Sequence, residues 1–113
     1  MASRELLVLI VRESALRSAL IARLSLAGES IVTLTGDPGD PILDRIAPAP
    51  KILIVDSESL GDGLQLLLDS EKWARIIILA DRAEEFADRV CVIDRRDALA
   101  AVGRDLTRWR LPL

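Results

Sequence analysis

KILIVDSESLGDG, residues 51–63, decides the fold. Ile52 to Val55 are apolar without interruption and run straight into Asp56, and two glycines flank Asp62 a few positions on. A short apolar run with no polar alternation suits a strand covered on both faces, as in a parallel sheet. In open α/β sheets ligands and reactive groups collect at the carboxyl ends of the strands, so an acid in the place of Asp56 is a candidate for chemistry. The plain alternative is a turn residue that hydrogen-bonds its own backbone.

Working outward, LLVLIV (6–11) is a second run of the same kind. The period then changes: Leu16, Leu20, Ile21 and Leu24 recur at helical spacing, with Ser14 as a candidate cap and Gly28 as a stop. SIVTLTG (30–36) is short and β-branched and predicts the second strand, followed by a DPGDP loop. ILDRIA (42–47) predicts a turn or two of helix before APAP, and LQLLLDSEKWA (64–74) a fuller one. RIIILA (75–80) and RVCVI (89–93) predict the fourth and fifth strands, and DALAAVGRDLTRWR (97–110) a last helix with Leu99, Val102, Leu106 and Trp109 on one face. Strands alternating with helices predict one three-layer α/β/α domain over residues 1–113. Its carboxyl edge would carry Arg12, Glu13, Asp56, Ala80, Asp81 and Asp94.

Composition narrows the function. A chain of 113 residues, 50% hydrophobic, has room for one core. A charged fraction of 29% with a net charge of −3 lacks the basic excess that tracks phosphate backbones, which argues against direct nucleic-acid binding. There is no histidine, and with it go His-based acid/base catalysis, His-ligated zinc and serine-protease triads. The lone Cys91, among Val90, Val92 and Ile93, reads as a core thiol in a reducing compartment. No apolar run is long enough to span a membrane and MASRE lacks a signal-peptide pattern, so the expected compartment is the cytoplasm.

VLIVRESALRSALIARL (8–24) followed by KILIVDSESLGDGLQLL (51–67) resembles the receiver domain of bacterial two-component response regulators, the CheY-like family, over nearly the whole chain. The resemblance implies a flavodoxin-like parallel five-stranded sheet of order 2-1-3-4-5. It also implies a magnesium site made by an acidic pair after the first strand together with the third-strand aspartate, which accepts a phosphoryl group from a histidine kinase. Asp56 falls at the phosphoacceptor position, and Leu60 to Gly63 at the family's turn, one residue shorter and without its proline. The acidic pair reads Arg12 and Glu13, the hydroxyl switch position is Ala80, and the lysine position is Asp94. Glu13 and Asp56 are thus the candidate Mg2+ ligands.

A carboxylate attacks a phosphoryl dianion poorly unless a hard cation shields the charge. Arg12 offers a planar two-pronged cation in that place, so one expectation is a salt bridge from Arg12 to Asp56 or Asp94 that locks the site; the other is that Arg12 points to solvent at the rim. Between the fourth and fifth strands only ADRAEEFAD intervenes, less than the roughly 10–12 residues of a full crossover, so the fourth helix is expected to be shortened or missing. That would expose the fifth strand and the last helix, and predicts a homodimer through this edge with Leu106 and Trp109 at the interface. RWRLPL resembles the junction to a LuxR-type (NarL-type) DNA-binding domain.

The expectation is an atypical, non-enzymatic pseudo-receiver that works through protein contacts, with phosphorylation at Asp56 weak or lost. The alternatives are a stand-alone adaptor that docks on a histidine kinase without phosphoryl chemistry, and a small α/β enzyme. Against the enzyme, VRESAL after the first strand offers no glycine-rich phosphate cradle.

Overall fold

The computed structural model describes residues 6–34, 51–60, 73–82, 84–87 and 90–110. In chain order they form β1 (Leu7–Ile10), α1 (Ser14–Leu26), β2 (Ile31–Thr33), β3 (Lys51–Asp56), α2 (Ser57–Leu60), β4 (Trp73–Ala80), β5 (Glu84–Ala87) and β6 (Val90–Asp94). A 3-10 turn at Arg95–Asp97 then leads into α3 (Ala98–Arg110). The sheet order is β2-β1-β3-β4-β6-β5. Its first five members are all parallel, which is the 2-1-3-4-5 order of a flavodoxin-like α/β fold. The helices expected at 42–47 and from Leu64, together with Gly61 and Gly63, lie outside the described residues.

The uninterrupted apolar runs behave as two-sided strands. Leu7, Leu9, Ile52, Ile54, Ile77 and Leu79 belong to one core with Leu20 and Leu24 of α1 and Ala98, Ala101, Val102 and Leu106 of α3. Their alternates Val8, Ile10, Leu53, Val55, Ile76 and Ile78 belong to a second core on the opposite face. Both sets are buried, so an unpaired polar residue at any of these apolar positions would carry a desolvation cost, and truncating Ile54 to alanine would cost ~2–5 kcal/mol.

Local signals set the ends of α1. Gly28 has φ 85°, the left-handed conformation that glycine adopts without a Cβ clash. Its N–H donates to the Ser25 carbonyl at 3.0 Å and that of Glu29 to the Leu24 carbonyl at 3.0 Å, which closes the helix in a Schellman motif. At the other end the N-cap is Glu13, with no side-chain cap bond, and Ser14 is the first helical residue rather than the cap.

One expectation is corrected here, and another is met in a form the sequence did not specify. Trp73 and Ala74 extend β4 instead of ending a helix, and Trp73 is a strand residue buried in the second core. The bulk and low exposure of an indole suit a half-covered strand end as well as a helix face, so its type alone did not discriminate. Among the described residues the short fourth crossover holds a strand, in keeping with the shortened or missing fourth helix that was expected: β5 pairs antiparallel with β6, with Glu84 opposite Val92 and Glu85 opposite Cys91. The outer edge of β6 is therefore covered from within the chain, and the edge left over is a four-residue strand reading EEFA. The sheet edge at which a dimer was expected is thus β5 and not β6. Leu106 is buried in the first core of the chain itself, 3% exposed, and the side chain of Trp109 lies outside what the structure describes.

Candidate functional site

Parallel pairing brings the ends of β1, β3, β4 and β6 to one edge, with Ile10 in register with Val55, Asp56 with Leu79 and Ala80 with Asp94. Asp56 is the last residue of β3 and is 3% exposed. Both of its oxygens are taken by backbone donors. The Ser59 N–H donates to Oδ1 at 2.7 Å, which makes Asp56 the side-chain cap of α2. The Arg12 N–H, 44 residues away in sequence, donates a short hydrogen bond to Oδ2. A single carboxylate thus ties the loop after β1 to the turn after β3. The turn-residue reading of Asp56 holds for Oδ1, and Oδ2 adds a long-range tie that the sequence did not reveal.

The cation at this edge is not Arg12. Its side chain is 67% exposed and its guanidinium meets Glu58 Oε2 at 3.9 Å, the outer limit of an ion pair. In place of the expected salt bridge from Arg12 to Asp56 or Asp94, Arg12 meets Asp56 through its backbone N–H while its side chain lies at the rim. Arg95 comes inward instead. Its Nη2 donates to Ser57 Oγ at 3.2 Å and to the Leu79 carbonyl at 3.4 Å. Its Nη1 lies 3.6 Å from Glu58 Oε1, and its Nε 3.5 Å from Asp81 Oδ1. Nε is buried without a hydrogen bond of proper geometry, so Asp81 meets it through charge alone. This guanidinium clasps α2 and the end of β4 to the end of β6.

Asp94 serves the local turn. Its carboxylate caps the 3-10 turn by accepting from the Arg96 N–H at 2.9 Å, and it pairs with the Arg96 guanidinium, Nη2 to Oδ2 at 2.6 Å. The side-chain and backbone hydrogen bonds from Arg96 hold its pKa down at about 2, against a starting value of 3.8. Asp94 is little exposed but stands at the sheet edge with few atoms around it, so desolvation opposes this shift only weakly. Ala80, at the end of β4, carries no side-chain group that could hydrogen-bond an anion.

A divalent ion would need several oxygen ligands converging on one point. Among the described residues no three Asp, Glu, Cys or His groups converge in that way. Glu13 is the exposed N-cap of α1, and the acids that do face the edge, Glu58 and Asp81, are arranged around Arg95. Of the two expected magnesium ligands, Glu13 is exposed at the start of α1, and both Asp56 oxygens accept from backbone amides. Arg95 was missed from the sequence because the strand-end residue is Asp94, just before it. The available signal was the doubled arginine directly after RVCVID, where a tight turn can fold the first of the two back over the strand ends.

Cys91 is half-buried, and its Sγ donates to Asp105 Oδ2 at 3.4 Å. Burial, the Asp105 charge and the hydrogen bond to Asp105 together push the thiol up from 9.0 to about 12. Among the described residues no helix is long and apolar enough to cross a membrane. No protein-family model matches the chain, and neither a curated protein nor a solved structure does. The functional reading therefore rests on the fold and the edge geometry.

Proposed function

We propose that this chain is a pseudo-receiver: a signalling domain that presents one fixed conformation to a partner protein, a histidine kinase or another component of a phosphorelay, with phosphoryl transfer to Asp56 lost or weak. The observation that carries the reading is the double engagement of Asp56 by the Arg12 and Ser59 amides beneath the Arg95 clasp. Phosphorylation of a receiver aspartate acts by shifting a two-state surface, and that requires a free oxygen, a shielding cation and a group that follows the new phosphate. Here the oxygens hold the backbone, the cation is a protein guanidinium already committed to four groups, and Ala80 cannot follow anything.

The test is incubation of the full chain with acetyl phosphate and Mg2+, and separately with a beryllium fluoride mimic, read by intact mass and by amide NMR shifts. The expected result is an unmodified mass and unchanged Arg12 and Ser59 amides. A phosphoryl mass increment in most molecules that disappears in Asp56→Asn would overturn the reading. Capture of a histidine kinase that survives Asp56→Asn would place the protein with adaptors that dock without phosphoryl chemistry, while failure of that variant to capture the kinase would favour a working relay.

A further inference from the structure

A cleft of about 230 Å³ opens beside the carboxyl ends of β1 and β2, lined by Ile10, Val11, Arg12, Arg17, Leu34 and Ser59. It adjoins the point between β1 and β3 where the strand order turns, the usual ligand position in an open α/β sheet. None of its lining residues belongs to the Arg95 clasp. We propose that this cleft binds a small organic monoanion, a carboxylate on a short apolar chain.

The chemistry of the walls selects that class. Ile10, Val11 and Leu34 provide an apolar side, while two guanidinium groups and the Ser59 hydroxyl provide donors. Arg17 is pre-positioned, because its Nη1 donates to the Val11 carbonyl at 2.9 Å. A guanidinium has five donors, and one bond to Val11 both orients the fork and leaves the rest for a ligand. Among the described residues the Arg12 guanidinium has a 3.9 Å contact with Glu58, an exposed pair that exchanges easily for a better acceptor. Two such forks suit the planar two-oxygen face of a carboxylate.

Size and wall chemistry narrow the choice of ligand. The volume lies under the ~300–1,000 Å³ typical of pockets for drug-sized ligands, which suits a small ligand. Inorganic phosphate brings no apolar chain to cover Ile10, Val11 and Leu34, so the apolar side of the cleft favours a carboxylate on a short alkyl chain over it. The chain as a whole is negative, so affinity for an anion has to come from these two arginines and not from the overall field.

The experiment is an NMR titration of the full chain with sodium butyrate, sodium acetate and inorganic phosphate at constant ionic strength. Butyrate is expected to give saturable shifts at the Arg12, Arg17 and Ser59 amides and the Leu34 methyls, acetate to bind more weakly for want of the apolar chain, and phosphate more weakly still. Arg12→Gln, a change at an exposed side chain that the fold does not use, should weaken butyrate about tenfold, the loss of one charge-assisted contact. Arg17→Lys keeps the charge and loses the fork, and should also weaken binding while the spectrum stays dispersed. Shifts that never saturate, phosphate binding tighter than butyrate, or equal butyrate affinity in Arg12→Gln and the unaltered chain would each refute the site.

Discussion

Asp56 and Asp94 are the same residue type at the ends of two strands in the same sheet, yet they do opposite jobs. Asp94 directs its carboxylate two residues downstream, to the amide and guanidinium of Arg96. Asp56 directs one oxygen three residues downstream to Ser59 and the other to a segment 44 residues away. The first is a local cap whose removal changes one turn. The second is a tie between two loops inside a buried edge, where an unmade hydrogen bond to a backbone N–H carries a full desolvation cost. The difference teaches that the acid at 56 is engaged through what its oxygens accept from the backbone, and that its position alone does not make it a nucleophile.

The largest expected effect follows directly. Asp56→Ala leaves two inward-facing amides without acceptors and should destabilise the chain by ~2–5 kcal/mol in urea unfolding, from the cap and the long-range bond together. Asp56→Asn keeps the shape but turns an NH2 toward one of the two N–H donors, and should recover only part of that loss. If Asp56→Ala unfolds at the same urea concentration as the unaltered protein, the tie is not structural and the carboxylate is free for other work.

Next in size is the contrast between the two arginines. Arg95→Ala removes donors from Ser57 and the Leu79 carbonyl in addition to two ion pairs, and should cost ~1–2 kcal/mol. Arg12→Ala removes one exposed, long ion pair and should cost under ~0.5 kcal/mol, with its backbone bond to Asp56 intact. Equal losses in the two variants would return the role of edge cation to Arg12. The Arg95 effect should also persist in high salt better than that of Arg12, since its guanidinium is 24% exposed against 67%.

Much of this molecule was legible in the sequence, and what was not divides along the same line between local and long-range. Runs such as LLVLIV and KILIV announce two-sided strands without any partner being known, and Gly28 announces the end of α1, because each is settled within a few residues. The shortness of ADRAEEFAD showed that no full helix fits, but a strand in its place depends on β6 offering a free edge, which only the assembled sheet supplies. At the site, the acids at 56 and 94 were visible as strand-end carboxylates. The identity of the cation was not, since Arg12 and Arg95 differ by which way the chain turns after a strand and not by residue type. The Arg12 and Arg17 cleft was likewise hidden, because Leu34 and Ser59 join it from distant segments.

The local character of Asp94 predicts a smaller, pH-dependent signature. Its folded pKa lies at about 2, below the 3.8 of an unperturbed aspartate, so its stabilising contribution is fully present above pH 4 and is lost as the pH falls toward 2. In Asp94→Asn the acid limb of the stability curve over that interval should be shallower than in the unaltered protein, with little change at pH 7 relative to Asp56→Ala. An identical limb in both proteins would show that Arg96 does not hold this carboxylate in solution.

The smallest effect sits at Cys91 and has the opposite sign of pH dependence. Its thiol remains protonated to about 12 in the folded chain but titrates near 9.0 when unfolded. Above pH 9 the unfolded form therefore releases a proton that the folded form keeps, and folding stability falls as the pH rises toward 12. Because the thiolate is the reactive species, the same shift makes the folded thiol slow toward iodoacetamide at pH 8. Asp105→Asn removes the negative charge that faces Sγ, and should speed alkylation and flatten the alkaline loss together. Faster alkylation with an unchanged alkaline limb would mean that the substitution merely opens access to the sulfur, and that the Asp105 charge does not set its protonation.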